Sequence, residues 1–122
     1  MTTEKLEKGS WHAYFDGLSK VLQGKEAQID VNALDIGAQV EAEFTPLLGI
    51  VYDPRNEILE VLVEGLDHTI ANVREIFVDH DGMNLNSVSV IDADGVQQII
   101  RLRDPAMLPA QPSQGVASQT SP

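Results

Sequence analysis

Beyond residue 26 the chain alternates between apolar and polar positions. Ile29, Val31 and Ala33 alternate with Gln28, Asp30 and Asn32, and Ala38, Val40, Ala42 and Phe44 alternate with Gln39, Glu41 and Glu43. A period of two sends successive side chains to opposite faces, so 27–34 and 38–44 each predict a strand with one dry and one wet face. Pro46 interrupts, because it has no N–H for a ladder. A nearly all-apolar strand over 48–52, the turn Asp53-Pro54-Arg55-Asn56 and a strand over 57–64 predict a hairpin. Gly65 ends that strand, and Asp67-His68 reads as a short link. Strands over 74–79, 85–91 and 96–102 follow, with turns at Asp81-Gly82 and Asp92-Ala93-Asp94-Gly95.

Ahead of these strands the period changes. Trp11, Tyr14, Phe15, Leu18, Val21 and Leu22 fall along one face of a helix, with Ser10 as its N-cap and Gly24 as its stop. The aromatic stripe reads as the face that covers a sheet. Connections between strands are too short for crossover helices, so neighbouring strands pair antiparallel. The fold class is therefore α+β. One N-terminal helix packs on a six- to seven-stranded antiparallel meander, which is strongly curled or closed into a small SH3-like or Sm-like barrel. The domain spans 10–103. Residues 1–9 are expected to be a flexible N-terminus, and 104–122, rich in Pro, Gln and Ser, a disordered tail.

Charge changes the picture of what the fold can meet. The 122 residues carry 19 acids against 8 Lys and Arg, a net charge of −11. Residues 26–64 hold nine of the acids and only Arg55, so the middle of the chain dominates the field. Such a chain repels phosphates, which excludes a nucleic-acid partner and disfavours anionic membranes. No apolar run approaches the length of a membrane span, and no secretory leader is evident. Glu41 and Glu43 share one strand face, and Glu60 and Glu64 share another with Leu62 between them. These four are the candidate partner-binding residues for a basic protein. Phe77 and Ile99 are apolar but out of phase with their neighbours, as Leu62 is. That pattern calls for cover on the second face of the sheet, supplied in part by the helix and otherwise by a second copy, so a homodimer is expected.

Candidate chemistry is sparse. With no cysteine, thiolate metal sites and disulfides are out. No serine sits in a G-x-S-x-G elbow, and no glycine-rich phosphate loop occurs. Asp67-His68 and Asp79-His80-Asp81 put imidazole beside carboxylate at strand ends, a donor set suited to zinc or a related divalent ion. Neither has an H-E-x-x-H spacing, and Asp and Gly at such places ordinarily make turns. Tyr52, Asp67, His68, His80 and Asp81 are thus the candidate ligand-binding residues. No catalytic residue, resident metal or cofactor is expected, and the functional reading is a non-enzymatic acidic accessory module. The alternative is a small-ligand or divalent-metal-binding protein using those strand ends.

The run Leu48-Gly49-Ile50-Val51-Tyr52-Asp53-Pro54-Arg55, followed by Leu59, Val61, Gly65, Asp67, His68 and Ile70, resembles a family of short bacterial proteins of unknown function. Trp11 and the Asp94-Gly95 hairpin fit the same resemblance, which spans 10–103. It implies a bacterial, cytoplasmic, one-domain protein and brings no catalytic residue with it. The helix-then-strands order is also similar to Sm-like and other SH3-like barrels, a likeness of fold alone.

Overall fold

A computed structural model of the chain describes residues 2–33 and 37–105, apart from the side chains at 37–39, 41 and 42. Its elements are β1 (Thr2–Lys5), a 3-10 turn (Lys8–Ser10), α1 (Trp11–Leu22), β2 (Glu26–Ala33), β3 (Gly37–Asp53), β4 (Ile58–Val63), β5 (Leu66–Ile70), β6 (Val73–Asp81), β7 (Asn84–Asp92) and β8 (Gln97–Arg103). The eight strands form one antiparallel order, β1-β6-β7-β8-β2-β3-β4-β5. Two meanders, β2–β5 and β6–β8, are joined where β8 pairs with β2. The sheet does not close into a barrel, and β1 and β5 are its edges.

Three departures from the sequence reading have local causes. Thr2–Lys5, in the stretch expected to fray, pairs with β6 although all four residues are exposed, so backbone hydrogen bonds and the surface contacts Lys5–Glu75 and Glu4–His80 hold it rather than apolar burial. Leu66–Ile70, read as a link, is a strand that buries only Ile70 fully. The strands expected on either side of Pro46 are one strand of 17 residues, β3. Pro46 marks where β3 changes partner: residues before it pair with β2, and Leu47 onward pairs with β4. From residue 106 the expected tail lies outside the described residues.

β3 also contains three bulges. Glu43 and Phe44 together oppose Gln28, Glu41 is an extra residue between the pairs Ile29–Ala42 and Asp30–Val40, and Leu48 is extra between Leu47–Val63 and Gly49–Leu62. A bulge bends its strand and reverses the in/out phase. Val40, expected on the dry face, therefore stands opposite the outward Asp30 and is 55% exposed.

The bent sheet folds over on itself around one core. Ala27, Ile29, Ile76, Val78, Val88, Val90 and Ile100 come from one limb, and Ile50, Tyr52, Leu59, Val61, Val63 and Ile70 from the other. His68 on β5 reaches Gln98 on β8, Nε2 to Oε1 at 2.5 Å, tying the limbs at the rim. Helix α1 lies against β3 and seals the core with Trp11, Phe15 and Leu22. The Trp11 ring meets Tyr52 edge-on at 5.1 Å, and its Nε1 donates to the Leu6 carbonyl. Ser10 precedes α1 as expected, but its hydroxyl donates backward to the Glu7 carbonyl rather than capping the helix. Gly24, with φ of 86°, ends the helical segment in the left-handed conformation that glycine adopts without strain.

Candidate functional site

The outer face of β3–β4–β5 follows from register. Val51, Glu60 and Thr69 form one cross-strand row, and Gly49, Leu62 and Asp67 the next. Glu64 follows Val63, and its N–H donates to the Pro46 carbonyl. The bulge at Leu48 turns that side chain outward, so Leu48 is 60% exposed and Val51 49%. Val51 also borders a cavity of about 150 Å³ with His12, Asp16 and Ser19 of α1. The face is thus apolar down the middle and acidic around it.

Among the described residues, Glu60, Glu64 and Asp67 have no Lys, Arg or His within ion-pairing distance. Six of the eight Lys and Arg residues pair elsewhere: Lys5 with Glu75, Lys8 and Arg74 with Glu57, Lys25 with Asp104, Arg101 with Asp30 and Arg103 with Glu26. The acidic rows do not oppose each other. Glu60 faces Val51 and Thr69, while Glu43 lies exposed at a bulge paired toward β2. Glu41 has its backbone in the same stretch, and its side chain lies outside those described.

The ligand-binding candidates are dispersed. Asp67 points outward beside Leu62, whereas its neighbour His68 points inward beside Val61. Tyr52 is buried under α1, two strands from His68. Its hydroxyl has no hydrogen-bond partner among the described residues, and burial pushes its ionisation up. His80 sits on β6 with both ring nitrogens against acceptors, the Gly82 carbonyl and the Glu4 carboxylate, each at 3.1 Å. Asp81 accepts from Asn86. Among the described residues no three His, Asp or Glu are grouped to hold a metal ion, and no Ser or Tyr hydroxyl is hydrogen-bonded to a histidine. Leu48 and Val51 were missed as surface residues. The available signal was the five-residue apolar run 47–51, which a strand with one wet face cannot bury entirely.

The turn before β4 carries a small electrostatic knot. Glu57 has φ of 58°, uncommon for a residue with a Cβ, and its carboxylate holds Lys8 and Arg74. The Lys8 hydrogen bond and charge, then Arg74, hold the Glu57 carboxyl below its usual range. The Asn56 side chain and the Arg55 N–H do the same for Asp53. A carboxyl with a depressed folded-state pKa adds stability above its unfolded value near 4, and that stability is lost as pH falls through the folded value. The melting temperature is therefore expected to hold from neutral pH to about 5 and to fall below about 4. In Lys8→Met, thermal melts across pH should show a flatter acid limb. An identical limb would remove Lys8 as its source.

The chain belongs to the family described as "Family of unknown function (DUF5335)", whose model matches residues 2–111. An uncharacterized protein of Aquifex aeolicus (strain VF5) is 38% identical over 110 residues, covering 89% of this chain and 99% of that protein. No solved structure matches. The family resemblance read from the Tyr52-Asp53-Pro54-Arg55 region is borne out. Among the described residues no helix is long and apolar enough to cross a membrane.

Proposed function

We propose that this member of a bacterial family of unknown function is a non-enzymatic accessory module that binds a basic, amphipathic segment of a protein partner on the outer face of β3–β4–β5. One observation carries the reading: among the described residues Glu60, Glu64 and Asp67 stand without cation partners around Leu48, Val51 and Leu62, while six of the eight Lys and Arg side chains are engaged by other acids. Unpaired carboxylates in water steer a basic partner toward the face and set its orientation. The apolar residues between them supply surface to bury, at about 25 cal/mol per Å². A segment alternating Lys or Arg with Val or Leu matches that layout.

The test uses a labelled extended peptide of alternating Lys and Val and follows fluorescence anisotropy. The variant Glu60→Gln, Glu64→Gln, Asp67→Asn removes three charges from the face. A control, Glu7→Lys with Asp94→Asn, changes net charge equally on exposed residues elsewhere. The first is expected to weaken binding about 10-fold, from three rim charges at a few tenths of a kcal/mol each, and the control to change it much less. Equal weakening by both would reduce the binding to bulk charge and overturn the proposal.

A further inference from the structure

The other outward surface, on the limb β1-β6-β7-β8-β2, carries an order that the docking face above does not use. Register aligns three rows across it. One runs Glu75-Ile91-Gln97-Asn32, the next Lys5-Phe77-Ser89-Ile99-Asp30, and the third Thr3-Asp79-Ser87-Arg101-Gln28. Among the described residues no helix covers them, because α1 lies against β3. The β6, β7 and β8 members of the two lower rows, with Thr3, Ile91 and Gln97, line a trough of about 340 Å³. Within it Asp79 Oδ1 is buried and has no hydrogen-bond partner among the described residues. The Arg101 guanidinium is drawn toward β2 by Asp30, its Nε donating at 2.7 Å. That leaves its terminal NH₂ groups, which present further donors, without an acceptor on this face among the described residues.

We propose that this surface is an isologous homodimer interface whose two-fold axis runs along β7 and which brings Arg101 of the partner subunit to Asp79. A rotation about that line exchanges the strands on either side of β7. Phe77 then faces Ile99 of the partner subunit, Asp79 faces its Arg101, Glu75 its Gln97, Lys5 its Asp30 and Thr3 its Gln28. Ser87, Ser89 and Ile91 lie on the axis opposite their own copies, and the two serines allow close approach. Every charged residue in these rows except Glu75, which meets an amide, meets its opposite. An interface of this kind must be self-complementary, and the rows satisfy that condition. The second copy is chosen over a foreign partner because the missing cation for Asp79 is present on the same face, two strands away. Aligned packing of two such sheets at about 10 Å is ordinary sandwich geometry.

Sedimentation equilibrium of the full chain is expected to give twice the 13.3 kDa mass of one chain. Asp79→Arg and Arg101→Asp are each expected to weaken the dimer about 100-fold or more, since each puts like charges together twice in a symmetric interface. The double variant Asp79→Arg/Arg101→Asp, which restores the pairing in reversed sense, should recover the dimer. Circular dichroism shows whether each variant is folded. As a second readout, the chain has no cysteine, so a short bis-maleimide should cross-link Ser89→Cys to its own copy but not Glu60→Cys. A monomer at all concentrations, a dimer untouched by either reversal, or cross-linking through position 60 alone would overturn the proposal.

Discussion

Trp11→Ala is expected to lose about 3–5 kcal/mol of folding stability, the range for truncating a large buried aromatic. Trp11 is 1% exposed and closes the core where α1 meets β3. Its removal leaves a cavity, ends the edge-on contact with Tyr52 and leaves the Leu6 carbonyl without its indole donor. Tyr52, whose hydroxyl already lacks a partner, has no polar contact there with which to compensate. Domains of this size have roughly 5–15 kcal/mol in total, so the variant sits near the limit of folding. Urea titration followed by far-ultraviolet circular dichroism should show the midpoint falling with little change in slope. A loss under about 1 kcal/mol would mean that α1 is not part of the core.

Val61→Asp is expected to prevent folding, and Val51→Asp to be nearly neutral. The two valines lie on neighbouring strands, Val61 fully buried and Val51 49% exposed on the opposite face. Val61 sits in the core that both limbs share, and a carboxylate there has no partner, a cost of several kcal/mol. Val51→Asp adds one charge to a face already lined by Glu60 and should change stability by about 0.5 kcal/mol or less. Proteolysis and a one-dimensional proton spectrum distinguish the outcomes. If both variants fold, the β4–β5 limb does not share a core with the rest. If both fail, the face assignment along β3 is wrong.

The helix was legible because Trp11, Phe15 and Leu22 keep one periodicity and all three are buried. So were β2, β4 and most of β7 and β8, where period two survives intact. The reading loses its grip where phase is reset. Each bulge in β3 shifts the alternation by one, which is how Val40 reached the wet side and Leu48 the surface. β1 has no apolar face to detect, since Thr2–Lys5 enters the sheet through backbone pairing and exposed polar contacts. Openness was undecidable for a different reason: alternation assigns faces, whereas closure depends on which strands pair at long range, here β8 with β2. The acidic side chains were visible individually. Their grouping was not, because what surrounds Glu60 and Asp67 depends on the extra residue at Leu48.

The most direct measurement of the central claim is a nitrogen–proton correlation spectrum of the full labelled chain, titrated with the alternating Lys–Val peptide. Shifts are expected to concentrate on Val51, Glu60, Leu62, Asp67 and Thr69. Shifts spread evenly over the surface, or confined to residues outside β3–β4–β5, would contradict a docking role for that face.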